Sequence, residues 1–226
     1  MKTDNELRAL HGKGYVEKFE SNQSHVRLDR LLPYMHLGRD DDVVDYACGN
    51  AMLMPHLVQL VNTYTGVDFS KEFIDAAELR KDELKIGNAN FYCGDIEEFC
   101  RSRQQTFDAA FAMDFSEHVY DESWCEILTS IRYSLKESGK FYMHTPNAEY
   151  IIELLKDIDV LKQLPEHIAV RNAENNVKLL KRSGFSNIKV YSLSHYEKRQ
   201  EWVHHLRHLP FIGMYFRARL FISCTA

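Results

Sequence analysis

The sequence predicts an α/β fold whose sheet is mostly parallel and covered by helices on both faces. Two observations carry that reading. Short strand-like runs recur from Val43 onward and are separated by helical patterns of roughly ten to fifteen residues, an alternation that parallel neighbours require because their connection must cross over the sheet. Past Asn147 the pattern changes to two helices followed by two late strands. With 226 residues, 45% apolar and 27% charged, the chain suffices for one sizeable core, so a single domain is expected.

Taken in order, residues 1–40 read as a helical cap: Tyr15 to Phe19 and Val26 to Leu37 place apolar residues at three-to-four spacing on a charged background. Gly38 and the acidic run Asp40 to Asp42 break that pattern. Strand-like runs follow at Val43 to Ala47, Tyr64 to Asp68, Asn90 to Cys93, Phe107 to Met113 and Lys140 to His144. Helices are expected over Ala148 to Lys162 and Ala173 to Ser183, the second stopped by Gly184, with final strands at Ile188 to Leu193 and Tyr215 to Cys224. A long connection at 195–214 holds Trp202 and several histidines. It reads either as a lid over an acceptor or as an amphipathic segment packed on the sheet, the second being the preferred role for Trp202.

The formal charge of −5 opposes a broad electrostatic footprint for nucleic acid or anionic membrane and favours a small substrate. Five scattered cysteines, Cys48, Cys93, Cys100, Cys125 and Cys224, show neither a C-x-x-C pair nor zinc spacing, which points to a reducing compartment. Met1 to Leu10 is polar where a secretory leader needs an apolar run, and no stretch approaches the roughly 18 apolar residues of a membrane span. The expectation is a cytoplasmic protein.

Chemistry concentrates at the strand ends. In Val43-Val44-Asp45-Tyr46-Ala47-Cys48-Gly49-Asn50-Ala51 a buried strand runs into a turn of small residues and then a helix, so backbone can approach a ligand and helical N–H groups face it. Asp68 ends the next strand about twenty residues on, where a carboxylate accepts both hydroxyls of a ribose. Asp95 ends the third strand similarly and can accept an exocyclic amine, with Ile96 against the base. Either aspartate could instead simply cap a helix. Cys48, inside the turn, reads as a small buried residue rather than a nucleophile. After the fourth strand comes Asp114-Phe115-Ser116-Glu117-His118. One helical turn would bring Asp114, Glu117 and His118 to a common face, a plausible divalent-metal set that could lower the pKa of a bound hydroxyl.

Asp45-x-Ala47-x-Gly49-x-Ala51, Gly66-Val67-Asp68-Phe69-Ser70, Gly94-Asp95-Ile96, Phe107 to Met113 and Leu135 to Lys140 resemble, in order, the motifs of class I S-adenosylmethionine-dependent methyltransferases. The resemblance covers Asp41 to Asn147. It implies a Rossmann-like, seven-stranded sheet closed by a C-terminal antiparallel hairpin, with 41–147 as the cofactor-binding half and 148–226 on the substrate side. It also implies S-adenosyl-L-methionine as cofactor: Ala47 and Gly49 against its methionine part, Asp68 at the ribose, Asp95 and Ile96 at the adenine, and Met113 beside the transferred methyl, with Asp45 and Phe69 as further cofactor-binding residues. The family usually has glycine where Ala47 and Ala51 stand. Their methyl groups are tolerable at negative φ and crowd the cofactor otherwise.

Asp114, Glu117, His118 and His167 also resemble the metal ligands of small-RNA 3′-terminal 2′-O-methyltransferases, which share a Thr-Pro-Asn segment found here at Thr145-Pro146-Asn147. The first three are similar to the acid-rich motif of ubiquinone-biosynthesis O-methyltransferases. Glu-His at this place also occurs in methyltransferases that need no metal, and Asp114 replaces the usual glutamate. The implied activity is methyl transfer to an oxygen, or as the less favoured alternative a nitrogen, of a small or glycan-like acceptor. His118 or His144 serves as base, or a divalent metal activates the hydroxyl. RNA 2′-O-methylation and a non-catalytic module keeping the cofactor fold are the rival readings.

Overall fold

The computed structural model describes residues 25–164, 166–195 and 202–226. Its strands are Asp42–Tyr46 (β1), Thr63–Asp68 (β2), Ala89–Cys93 (β3), Phe107–Met113 (β4), Leu135–Pro146 (β5), Ser186–Leu193 (β6) and Arg219–Thr225 (β7). They form one seven-stranded sheet of order β3-β2-β1-β4-β5-β7-β6. β1 to β5 pair in parallel, whereas β7 runs antiparallel to β5 and β6. The fold is therefore the mostly parallel, Rossmann-like sheet with a terminal antiparallel hairpin that the sequence implies. Because β7 reverses, β6 points the same way as β5, and six strands end on one edge.

The α-helices are His25–Asp29 (α1), Met54–Leu57 (α2), Lys71–Glu83 (α3), Ile96–Arg101 (α4), Asp121–Ser134 (α5), Ile151–Asp157 (α6) and Ala173–Arg182 (α7). They cover both sheet faces, and the strand residues alternate between two cores accordingly. Val44, Ala110, Phe141 and Ile222 meet Trp124, Leu128 and Leu180 on one side. Val43, Phe111, Tyr142 and Phe221 meet Leu28, Leu31 and Leu57 on the other. The cap thus packs on the second face, beside the edge where the strands end.

Several boundaries differ from the sequence expectation, β5 among them, which begins at Leu135 and ends at Pro146 instead of running from Lys140 to His144. The helix expected over Val26 to Leu37 stops at Asp29, and a 3-10 turn follows at Leu32–Tyr34. Pro33 accounts for this: its ring lacks an N–H and clashes with the carbonyl four residues back, which is that of Asp29. The helix expected over Ala148 to Lys162 shrinks to α6, whose end lies just before Asp159 at φ +59°. Tyr215 and Phe216 belong to a 3-10 turn, Gly213–Phe216, rather than to the last strand. The Gly184 stop appears as expected, with φ +88° and the Phe185 N–H bonded to the Leu180 carbonyl. The helical pattern at Tyr15 to Phe19 and the side chain of Trp202 lie outside the described residues.

Gly66 allows the cofactor-type turn to sit against β2. A Cβ there would come within 2.6 Å of Phe91 and 2.9 Å of Cys48 Sγ, so Cys48 packs over bare backbone. Gly66→Ala is expected to destabilise the fold by about 1–3 kcal/mol through overpacking. A urea midpoint equal to that of the parent chain would contradict this packing.

Candidate active site

The order of the sheet reverses between β1 and β4, and α/β proteins bind ligands in the crevice at such a switch point. Around it the structure brings together Asp45, Gly49 and Asp68. Asp68 closes β2 in register with Cys93 and is 5% exposed. Its two carboxylate oxygens accept the Gly49 N–H at 3.0 Å and the Ser70 N–H at 2.9 Å. These bonds splice the β1 turn to the β2 turn. Asp45 is buried, takes the Tyr64 hydroxyl at 2.6 Å on Oδ2, and leaves Oδ1 with no hydrogen-bond partner. Burial is the main cause that pushes its carboxyl up to about 7.

The turn is left-handed at three alternate residues: Ala47 at φ +53°, Gly49 at +54° and Ala51 at +56°. The two alanines therefore adopt the conformation that glycine adopts freely, and each carries strain of order 1–2 kcal/mol; Ala51 is fully buried in the apolar core. Phe69 is exposed beside the turn, and Ile96 and Met113 are half-buried. Asp95 caps α4, its Oδ1 accepting the N–H groups of Glu97 and Glu98 at 2.9 and 3.3 Å; the capping role is thus realised at this position.

Asp114 does not share a helical face with Glu117 and His118. Its φ is +53°, and only Ser116–His118 forms a short 3-10 turn, so the chain leaves helical register before the acid. Asp114 instead receives Arg27 from α1, Arg219 Nη1 from β7 at 3.3 Å and His144 Nδ1 from β5 at 2.8 Å. Burial alone would raise this carboxyl; Arg27, His144 and Arg219 together hold it well below the usual range. His144 is 2% exposed. Its Nδ1–H donates to the carboxylate, so Nε2 carries the lone pair. Burial, against the opposing pull of Asp114, lowers its pKa.

Glu117, His118 and His167 do converge, with ligand-type atoms within 4.8 Å of one another. His118 Nδ1 bonds to the Glu166 carbonyl at 2.9 Å, and its ring meets that of His167 edge-on at 5.1 Å between centroids. Buried Glu117 takes the Thr145 hydroxyl at 3.2 Å; burial first and Asp114 second push its carboxyl up to about 8. His167 is pushed down to about 4, by burial and then by His118, and its buried Nδ1 has no partner.

A cleft of about 530 Å³ opens beside His144, lined by Arg27, Arg30, Tyr34, Ser192, Ser194 and Arg207 among others. It lies where the cap and the late connection meet the edge at which β5 and β6 end.

A methyltransferase-domain family model matches residues 37–207, roughly three quarters of the chain. The chain belongs to the methyltransferase-domain family. Its class I S-adenosylmethionine-dependent fold recurs in a SAM-dependent methyltransferase structure from Archaeoglobus fulgidus, with TM-score 0.71 and 18% identity over 95% of this chain and 100% of that one. The [4+2]-cyclase SpnF shares it too, with TM-score 0.66 and 14% identity over 89% and 80%; the scaffold by itself does not specify a reaction. Among curated sequences, the ubiquinone biosynthesis O-methyltransferase of Xanthomonas oryzae pv. oryzae (strain PXO99A) is 28% identical over 142 residues. The match spans 58% of either chain.

Arg171 and the arginines of the cleft escape sequence reasoning, since no motif frames them. Arg171, 4% exposed, donates to the carbonyls of Ser116 and Val119, both at 2.6 Å, and to Asp121 at 2.7 Å. It thereby fixes the turn that carries Glu117 and His118 in this methyltransferase-family site.

The buried Asp45 supplies a test with a definite sign. Its folded pKa lies above the ordinary 3.8, so the stability of the neutral carboxyl is fully present below about pH 3.8 and is lost as pH rises through about 7. Asp45→Asn keeps an acceptor for Tyr64 and cannot ionise. It is expected to melt a few degrees above the parent at about pH 8, with the gap narrowing as pH falls and closing only below about pH 4, and to bind S-adenosylhomocysteine roughly tenfold more weakly through loss of a charge-assisted bond. Identical melting curves across that range would remove Asp45 as a titrating group.

Proposed function

We propose that the chain transfers a methyl group from S-adenosylmethionine to a hydroxyl oxygen of a small or glycan-like acceptor, with His144 as general base. The observation that carries this reading is the Asp114–His144 pair at 2.8 Å, held where β4 and β5 end in register and facing the cleft. Support for the cofactor comes from the orphaned Asp45 Oδ1, suited to an ammonium group, and from Asp68, a backbone-anchored carboxylate at the end of β2, the place where a ribose would find its acceptor. Asp95 and Ile96 would border the adenine, with Phe69 beside the ribose and Met113 near the reacting centre.

The cofactor supplies a methyl group activated by a positively charged sulfur. With that group bound, His144 Nε2 would take the proton of the acceptor hydroxyl as its oxygen becomes the nucleophile toward the methyl. Asp114 holds the ring in the required tautomer and stabilises the imidazolium that results. The cap and the strand ends align the acceptor with the methyl, and such positioning supplies several kcal/mol of barrier reduction. Replacing His144 by Ala should lower kcat by about 10²–10⁴-fold while leaving cofactor affinity intact. Since the His144 pKa lies below the ordinary 6.5, the base is free at neutral pH, and kcat/KM should fall only on the acid side of 6.5. A full-rate His144→Ala enzyme would refute the assignment.

Glu117, His118 and His167 fit a divalent cation. The fit rests on the orphaned His167 Nδ1 and on His118, whose Nδ1 bond to a backbone carbonyl is the usual support of a metal-binding imidazole. Two nitrogens and a carboxylate suit zinc, manganese or iron, which would lower the pKa of a nearby hydroxyl. Asp114, already held by two arginines, lies outside this set. Mn²⁺ or Zn²⁺ is expected to raise the melting temperature of the parent chain but not of Glu117→Gln or His167→Ala. No shift in any of them, together with activity indifferent to chelator, would retire the metal.

A further inference from the structure

The chain after β4 forms only one 3-10 turn, Ser116–His118, too short to satisfy its own carbonyls, and a distant stretch of chain satisfies them instead. Residues 166–171, which run up to the N-cap of α7 at Asn172, lie along this turn. The N–H groups of Ile168 and Ala169 both donate to the Glu117 carbonyl at 3.0 Å. Arg171 Nη1 and Nη2 donate to the carbonyls of Ser116 and Val119, each at 2.6 Å, and its Nε donates to Asp121 at 2.7 Å. In the opposite direction, the His118 Nδ1–H donates to the Glu166 carbonyl at 2.9 Å, which leaves Nε2 with the lone pair.

His167 stands inside this lacing. Its neighbours Glu166 and Ile168 are each bonded to the turn, so the backbone on both sides carries its ring to Glu117 and His118. The buried His167 Nδ1 has no partner, and no hydrogen bond at that nitrogen orients the ring. Arg171 closes the far end of the strap. A buried guanidinium is tolerable only with its N–H groups aimed at acceptors; here the planar fork reaches two carbonyls and a carboxylate at once, a spread that the compact ammonium of lysine does not reproduce. The Ala148 N–H, just beyond β5, donates in turn to the Arg171 carbonyl at 3.2 Å.

We propose that Arg171 is a positioning residue for the Glu117–His118–His167 site: by gripping the Ser116 and Val119 carbonyls it locks residues 166–171 on the turn and sets the spacing at which a divalent cation finds its three ligands. The proposal rests on the cation reading given above and adds to it a residue that acts on the ligands solely through backbone. Residues that orient metal ligands from outside alter affinity by about 10–100-fold when replaced. Arg171, one step farther out, belongs at the lower end of that range.

The test uses the full chain and two variants, Arg171→Lys, which keeps the charge, and Asp121→Asn, which keeps both carbonyl bonds and alters a half-exposed side chain. Mn²⁺ affinity is read from the loss of free-ion paramagnetic resonance, with Glu117→Gln as the reference for binding elsewhere. Arg171→Lys should bind Mn²⁺ about tenfold more weakly and Asp121→Asn severalfold more weakly, with S-adenosylhomocysteine affinity within error of the parent. In chelator, amide exchange of Ile168 and Ala169 should quicken about tenfold in Arg171→Lys while that of Val44 and Ala110 in the central strands holds, a local loosening that general destabilisation would not give. Parent-like Mn²⁺ affinity in Arg171→Lys, or exchange that quickens equally in the central strands, would overturn the proposal. Should Arg171→Lys fail to fold, parent-like affinity in Asp121→Asn overturns it and weakened affinity supports it. A parent chain that binds no more Mn²⁺ than Glu117→Gln removes the cation reading and this proposal with it, a result distinct from variants that match a binding parent.

Discussion

A single carboxylate holds the reactive edge of this molecule together. Asp114 follows the tip of β4 and is met by Arg27 from the cap, Arg219 from β7 and His144 from β5. Four elements that are far apart in sequence are tied at one atom group, and a buried charge of this kind is tolerable only when fully paired. Removing it would leave two guanidiniums and an imidazole without their shared partner. The cap and the terminal hairpin, held chiefly by the packing of Leu28 and Leu31 and by the β5–β7 ladder, thus share with His144 one polar partner, and its left-handed backbone is the cost of aiming it there.

Much of the fold was legible because it follows from repeating local signals. The β1, β2 and β4 runs stand within a residue or so of their expected positions, since alternating apolar residues that pack on both sides of a sheet leave a pattern in the chain. What misled was local and steric: Pro33 truncating the cap helix, and Asp159 reversing the chain after α6. The turn after β1 was also legible, because Asp45, Gly49 and Asp68 stand at the ends of neighbouring strands, where the Asp68 carboxylate ties the two turns together. Asp95 shows the limit of such reading, for the same residue satisfies the spacing and caps a helix.

The acceptor side was less legible, and for a physical reason. Asp114, Glu117 and His118 lie close in sequence, and helical periodicity groups them; one left-handed residue sends Asp114 to the arginines and leaves the other two to meet His167. The arginines of the cleft come from segments whose meeting is determined by sheet closure, and no spacing rule spans that distance. Arg171 is similar: it acts through carbonyls of Ser116 and Val119, and backbone acceptors leave no trace in residue identity. Asp45, Glu117 and His167 share a further property. Asp45 and Glu117 are buried and His167 half-buried, each with its charged form disfavoured, so polar stress is concentrated where ligands would relieve it.

The alanines at 47 and 51 carry a wider implication. Their backbone follows the path of Gly49 although their side chains oppose it, so the surrounding contacts, among them the Asp68 bonds to Gly49 and Ser70, impose the shape of the loop from outside. A loop so constrained is defined by its dihedral angles and not by the letters that usually spell it. Searches keyed to a glycine signature would pass over chains of this kind, and catalogues assembled that way will undercount proteins that build the same cradle from bulkier parts.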